Sequence, residues 1–225
     1  MGSDQIPDDQ LLKRIARGDT EAFSLLFRRR QGDVYRFALH MTARPAVADD
    51  VAQETFLAVL RDAGRYDAAR ATVVAWLCGI ARHHVLRRFE RERPMHSIES
   101  DDDPVLDDRL FAVDQTVLSD LTRAEQVDAV RDAVMTLPLR YREAVVLCDL
   151  QELSYADAAA ALGCALGTVR SRLHRGRALL ASKLAAERVA GREAAAPPPT
   201  ADDVAGERVR PIEFGRRARI VRRMA

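Results

Sequence analysis

The feature that most restricts the fold of this chain is the spacing of its apolar residues. They recur every three or four positions in two separate blocks, residues 10–93 and residues 121–188. This spacing predicts amphipathic helices. Aromatic residues, which favour strands, make up only 5% of the sequence. We therefore expect an all-α protein with two small helical domains.

The segment between the two blocks has a different composition. Residues 94–108 contain six acidic residues, two prolines and no lysine or arginine. This composition predicts that residues 94–120 form an acidic, flexible linker. Residues 189–225 are rich first in alanine and proline and then in arginine, so we expect a disordered, solvated tail. Contact of this tail with nucleic acid or with a protein is the alternative.

Local signals place individual helix ends. Asp19 is a candidate N-cap for a helix in the first block, and Ser154 with Asp157 resembles a capping box in the second. Gly163 should end the short helix that Ser154 begins, and another helix should start just after it. Two helices joined by a tight glycine-containing turn form a helix-turn-helix. In the first block, a helix after Pro45 should bury one face, which is expected to contain Val51, Phe56, Val59 and Leu60.

The second helix of this motif is strongly basic. Residues 167–177 contain four arginines, one histidine and no acid, although the whole chain has a net charge of +1. Exposed helices usually mix both signs of charge, so this excess favours a helix that binds phosphates over one that is only solvated. At 100° per residue, the cations lie opposite an apolar side formed by Val169, Leu173, Gly176 and Leu180.

The sequence shows no pattern that indicates an enzyme. It contains no glycine-rich phosphate loop, no zinc-ligand spacing and no convincing Ser/His/Asp set, so we expect no catalytic residue, no metal and no cofactor. Cys78, Cys148 and Cys164 are widely separated and are interpreted as structural thiols. The N-terminus is not a signal peptide, and no apolar stretch is long enough to span a membrane, so we expect a cytoplasmic protein.

Three segments together resemble the extracytoplasmic-function (group 4) sigma factors of bacterial RNA polymerase. They are residues 49–62, 73–93 and 137–180, which occur in the family's order and on either side of an acidic linker. The resemblance implies a non-enzymatic initiation factor that binds core RNA polymerase and promoter DNA. Residues 10–93 would form region 2, which binds polymerase and melts the −10 element. Residues 121–188 would form region 4, which reads the −35 element; an anti-sigma factor is a further implied partner.

The resemblance also implies roles for particular residues. Polymerase binding is implied for Asp50, Gln53, Glu54 and Phe56. Contact with the −10 single strand is implied for Arg82, His83, Arg87 and Arg88. Reading of −35 bases is implied for Arg170, Ser171, His174 and Arg175, and phosphate contact for Thr168, Arg172 and Arg177. His83 replaces an asparagine found in many members, which leaves the downstream sequence preference open. Trp76 matches a family tryptophan and is expected to pack rather than to stack on bases.

Two other functions use the same features. A stand-alone helix-turn-helix regulator would bind its DNA site tightly without polymerase. A sigma mimic that sequesters an anti-sigma protein would bind that protein but support no transcription. The retained arginines of the basic helix argue against a mimic, because a mimic does not need to read DNA.

Overall fold

A computed structural model describes residues 6–92 and 123–195. These two ranges contain helices and turns and no strand, which confirms the all-α prediction. The predicted linker and the tail from residue 196 onward lie outside the described residues. The helices are α1 (Asp8–Ile15), α2 (Thr20–Thr42), α3 (Pro45–Asp62), α4 (Val73–Glu92), α5 (Arg123–Thr136), α6 (Leu139–Val145), α7 (Tyr155–Leu162) and α8 (Leu166–Ala195). A 3-10 turn (Ala63–Arg65) follows α3, and a π-helical turn (Val146–Leu150) follows α6.

The resemblance implies that α1 to α4 form region 2 and that α5 to α8 form region 4, and we use these names for the two helical blocks. Helices α1 to α4 surround one apolar core. The carboxylate of Asp19 accepts a hydrogen bond of 2.9 Å from the Ala22 N–H, which confirms Asp19 as the N-cap of α2. Pro45 occupies the first turn of α3, where its missing N–H costs nothing. The largest fully buried side chains of this core are Leu11, Leu12, Leu26, Val34, Phe37, Met41, Val51, Val59 and Leu77.

One prediction about α3 is wrong. Val51, Phe56 and Val59 are buried as expected, but Leu60 is 48% exposed. The reason is angular. Residue 60 lies 100° around the helix from residue 59, and this step takes its side chain off the buried stripe and toward the face that carries Leu57.

Region 4 consists of α5 to α8, and its helix-turn-helix is confirmed. The Ser154 hydroxyl accepts a hydrogen bond of 3.1 Å from the Asp157 N–H and caps α7. Gly163 ends α7 with φ of 65°, a left-handed conformation that glycine adopts without strain. Helix α8 begins at Leu166 and extends beyond residue 188, the predicted end of region 4.

The apolar side of α8 is buried, and its closest described approach is to α6. Val169 and Leu173 are buried, and Leu180 is partly buried against the core. Gly176 meets α6 so closely that a Cβ atom at this position would lie 2.7 Å from Cγ2 of Val145.

The two regions are in direct contact. The described residues up to Glu187 form one compact unit, in which α4 of region 2 packs against α7 of region 4. The buried apolar residues of the two sequence blocks therefore form one continuous core. Within the part of the chain that the structure describes, no helix combines the length and apolar character needed to cross a membrane.

Candidate polymerase and nucleic-acid interfaces

Three of the four predicted polymerase-binding residues lie on the outer face of α3. Asp50 and Gln53 are exposed and Glu54 is half-buried. Helix α4 holds the two acids in place. Arg88 contacts Asp50 at 3.3 Å and Glu54 at 3.1 Å, and Nδ1 of His84 lies 2.9 Å from Glu54. The acidic face is therefore partly neutralised and fixed in position.

His84 lies between the core and the Glu54 carboxylate. Burial lowers the pKa of His84 below its ordinary value, although the neighbouring Glu54 carboxylate acts in the opposite direction. Nδ1 of His84 donates a hydrogen bond to the Glu54 carboxylate, which can only accept.

Two leucines that the sequence analysis did not place on this outer face also lie there. Leu57 is 60% exposed and Leu60 is 48% exposed. At 100° per residue, positions 50, 53, 54, 57 and 60 fall within roughly 120° of the helix circumference. We call these five residues the α3 patch. An exposed apolar pair beside fixed acids is typical of a protein interface. A helical wheel that kept 51, 55 and 59 as the buried stripe would have found both leucines.

Phe56 lies inside the domain rather than on this patch. It is 2% exposed, and its ring packs against Phe27 and Phe23 with centroid distances of 4.9 Å and 6.3 Å. Its contribution to the patch is indirect, because it anchors the inner side of α3.

The predicted −10 residues divide into three environments. His83 and Arg87 are exposed and line a cavity of about 750 Å³. Arg82 also borders this cavity, but its guanidinium binds Glu143 of region 4, with N–O distances of 2.6 Å and 3.3 Å. Arg88 faces α3 instead. The predicted set therefore does not form one continuous basic surface.

The cavity also contains aromatic and basic groups besides the four predicted −10 residues. The rings of Tyr66 and Trp76 meet edge to face at 5.6 Å, and the Tyr66 hydroxyl donates to the carbonyl of Ala71. Trp76 is half-buried, so it packs on the core and also lines the cavity. Three more arginines line it: Arg61, Arg65 and Arg70.

The basic face of α8 is accessible. Arg170, Ser171, His174 and Arg177 are exposed, whereas Thr168, Arg172 and Arg175 are half-buried. The Ser171 hydroxyl donates to the Thr168 carbonyl at 3.1 Å. The guanidinium of Arg170 lies 5.9 Å from the centre of the Tyr155 ring, at the outer limit of a cation–π contact.

Arg177 is held by an acid. Its guanidinium binds Asp149 at 2.6 Å and 3.1 Å, and this hydrogen bonding raises the pKa of Arg177. The ion pair fixes Arg177 toward the π-helical turn, at the side of α8. Contact with a phosphate would require Arg177 to exchange this carboxylate for the phosphate or to share it.

The described residues hold no group of three or more His, Cys, Asp and Glu side chains that could bind a metal ion. The three cysteines are free thiols. Burial raises the pKa of Cys78 to about 12 and that of Cys148 to about 11. Both therefore remain protonated at neutral pH, and a thiol in that state is a poor nucleophile.

Comparison with known proteins shows which family the chain belongs to. The family model for Sigma-70 region 2 matches residues 26–94, and that for Sigma-70 region 4 matches residues 128–180. SigM, an ECF RNA polymerase sigma factor of Mycobacterium tuberculosis (strain H37Rv), is 37% identical over 185 residues, which cover 81% of this chain and 87% of SigM. The chain belongs to the extracytoplasmic-function RNA polymerase sigma factors.

Other members of the family are similar over nearly their full length. The sigma-H factor of Pseudomonas aeruginosa (strain PAO1) is 32% identical over 77% of this sigma factor and 91% of its own chain. CnrH, solved in complex with the cytosolic domain of CnrY, matches with a TM-score of 0.59 and 26% identity over 80% of this chain and 97% of that chain. RpoE from Bartonella quintana, solved with the anti-sigma factor NepR, matches with a TM-score of 0.52 and 25% identity over 72% and 96%.

Membership of this family fixes the general function. The protein is an alternative initiation factor for RNA polymerase, and it contains sigma regions 2 and 4.

Proposed function

We propose that three surfaces of this sigma factor divide the work of initiation. The α3 patch binds core polymerase, the cavity beside α4 captures the unpaired −10 strand, and the exposed start of α8 reads the −35 element. The observation that carries this proposal is the separation of charge. The exposed face of α8 is basic, whereas the exposed face of α3 combines acids with leucines. These two faces suit different partners.

The α3 patch can bind a protein at modest entropic cost. Arg88 and His84 already hold its acids in one geometry, so less side-chain freedom is lost on binding. Burial of Leu57 and Leu60, which are 60% and 48% exposed, would supply the apolar part of the binding free energy. A polymerase surface with cations around an apolar centre is the matching partner.

The cavity suits a flipped base more than a duplex. Its aromatic pair, Tyr66 and Trp76, offers a ring surface, and the surrounding arginines neutralise the backbone phosphates. Capture of an unpaired base would offset the cost of unstacking it, which is a few kcal/mol. Melting then needs no covalent step, and we infer that the sigma factor is neither an enzyme nor dependent on a cofactor.

Helix α8 would enter the major groove with its N-terminal half. Arg170 and His174, one turn apart, are exposed and lie where base edges would be met, with Ser171 and Arg175 beside them. An arginine that binds guanine with both of its terminal nitrogens discriminates against the wrong base by about 1–3 kcal/mol. Thr168, Arg172 and Arg177 would contact phosphates, which orient the helix without reading sequence.

The cellular setting follows from these roles. A factor that acts with RNA polymerase works in the cytoplasm. An anti-sigma protein is a further expected partner, since CnrH and RpoE, which resemble this chain, were solved with CnrY and the anti-sigma factor NepR. Such a regulator would compete for the same exposed surfaces.

Transcription with sigma-free core polymerase and a promoter library tests the proposal. The pure chain should start RNA at a defined subset of promoters. The variant Gln53→Ala/Glu54→Arg should lose co-purification with core polymerase, because it reverses charge on the α3 patch. Glu21→Arg, on an exposed position of α2, is the charge-matched control and should bind like the parent. If the doubly substituted chain still co-purifies, the α3 patch is only a solvated surface.

A further inference from the structure

The cavity beside α4 has two kinds of lining that face the same space. The first is aromatic and apolar. The rings of Tyr66 and Trp76 border the cavity, as do the side chains of Ala75, Ile80 and Leu162. Both rings are half-buried and pack on the core, so their positions are fixed while part of each ring stays accessible. A ring held in this way is a surface on which a planar base can stack.

The second lining is cationic and comes from three segments of the chain. Arg61 lies near the end of α3, Arg70 lies in the turn before α4, and Arg87 lies in α4. All three side chains are exposed, and none forms an ion pair with the part of the chain that the structure describes. Their guanidinium groups are therefore available to an anion in the cavity.

The acids that border the cavity already have partners of their own. Asp62 lies 3.1 Å from Arg65, and the carboxylate of Asp67 accepts a hydrogen bond of 2.9 Å from the Ala69 N–H. Neither acid forms an ion pair with the three arginines of the cationic lining. The cavity consequently keeps a net positive charge beside its ring surface.

A base with several phosphates attached matches both linings at once. The cavity volume of about 750 Å³ lies in the usual range for small-molecule sites, which is roughly 300–1,000 Å³. The guanidinium fork of arginine suits phosphate oxygens, and bonds of this kind are stronger than neutral hydrogen bonds. A nucleic-acid strand brings one phosphate per nucleotide, whereas a nucleoside polyphosphate brings several phosphates with one base. Three arginines without acid partners around one ring pair suit the second arrangement.

We propose that this cavity also binds a free nucleoside polyphosphate, with the base on the Tyr66–Trp76 ring pair and the phosphates on Arg61, Arg70 and Arg87. Binding of the nucleotide rests on the chemistry of the lining alone. Competition between the nucleotide and the unpaired −10 strand follows in addition, and this second step rests on the proposed function of the cavity. The nucleotide would then reduce capture of the strand by the sigma factor.

The chain carries its own reporter for this site. Trp76 is the only tryptophan of the sequence, so tryptophan fluorescence arises at the cavity. Titration of the full-length protein with ATP, without magnesium, should change this fluorescence to saturation. Equilibrium dialysis with labelled ATP should give the same Kd. If dialysis detects no binding of ATP, the proposal is overturned.

A pair of arginine variants tests the phosphate side of the site. Arg61→Ala/Arg87→Ala should weaken ATP binding at least about tenfold, because two charge-assisted hydrogen bonds are lost. Arg17→Ala/Arg28→Ala removes two exposed arginines that do not line the cavity, so it is the charge-matched control and should bind ATP like the parent. Equal weakening by both pairs would show that ATP responds to net charge alone, and the site would be refuted.

Inorganic tripolyphosphate tests the base side of the site. The parent should bind ATP at least about fivefold more tightly than tripolyphosphate, because only ATP has a base that can stack. Tyr66→Leu should remove most of this preference, whereas Tyr66→Phe keeps the ring and should retain it, although it loses the hydrogen bond to the Ala71 carbonyl. Equal affinity of the parent for the two ligands would show that no base lies on the rings, against the proposal.

Competition is measured in the holoenzyme, with a fluorescent single strand that carries the −10 segment of a promoter identified in the library. ATP at ten times its Kd should raise the apparent Kd of the strand about tenfold. If ATP binds in the cavity but the affinity for the strand is unchanged, the proposed strand role of the cavity fails and the nucleotide site stands. If the strand binds but ATP does not, the nucleotide site fails and the proposed function stands.

Discussion

The close approach of α8 to α6 at Gly176 gives the sharpest test of how region 4 is built. In Gly176→Ala, the new methyl group would lie 2.7 Å from Cγ2 of Val145 and 3.3 Å from the carbonyl oxygen of Tyr141. Val145 is 1% exposed, and its β-branched side chain has few rotamers with which to avoid the new methyl group. Overpacking of this kind costs about 1–3 kcal/mol. Alanine regains about 1 kcal/mol of helix propensity, so we expect a net loss of up to about 2 kcal/mol.

The same helix offers a matched control. Gly167 lies in the first turn of α8, and a Cβ atom there would meet nothing within 4 Å. Gly167→Ala should therefore stabilise the protein slightly, by up to about 1 kcal/mol. Urea denaturation followed by circular dichroism measures both variants. With a typical slope of about 2 kcal/mol per molar urea, Gly176→Ala should lower the midpoint by up to about 1 M. A midpoint equal to or above that of Gly167→Ala would refute the packing argument.

Three further predictions concern the surfaces. Leu57→Asp/Leu60→Asp should weaken core polymerase binding in a pull-down by at least tenfold while leaving the urea midpoint within about 0.5 kcal/mol of the parent, since both side chains are exposed. Arg175→Ala should reduce transcription from the cognate promoter and preserve co-purification with polymerase; equal loss of both would reject its role at the −35 element. The pKa of Asp157 is lowered on folding, so its ionised carboxylate stabilises the folded protein. This contribution should be complete above the unfolded pKa of about 3.9 and should be lost as the pH falls through the lower folded-state pKa. The thermal midpoint of Asp157→Asn should accordingly depend less on pH in this range than that of the parent, and an identical pH dependence would contradict this assignment.

Signals that act over a few residues were readable from the sequence. The side chains of Asp19 and Ser154 cap the helices that follow them, and Gly163 ends α7, because each bond joins groups at most four residues apart. The apolar side of α8 was equally clear, since a helix fixes the relative angle of its residues whatever they pack against. These local rules were sufficient for both domains and for the helix-turn-helix.

Signals that depend on partners distant in sequence were not readable. Arg82 and Glu143 are 61 residues apart, and Arg88 and Glu54 are 34 residues apart. Periodicity identifies the face on which an arginine lies but not the acid opposite that face. The error at Leu60 has the same origin, because the width of the buried stripe on α3 is set by α2 and α4 rather than by α3 itself.

Several of the predicted DNA-binding arginines already have acid partners, which reduces what they would gain from DNA. Arg82, Arg88 and Arg177 each have a carboxylate partner in the folded chain. Contact with DNA would replace that carboxylate with a phosphate. The binding free energy gained is then only the difference between the arginine–phosphate and the arginine–carboxylate hydrogen bonds. Exposed pairs such as Arg177–Asp149 cost little to break, about 0–1 kcal/mol. The buried Glu143 is different, because loss of Arg82 to a phosphate would leave its charge uncompensated. Of these three arginines, Arg82 is therefore the one whose exchange to a phosphate costs the most free energy.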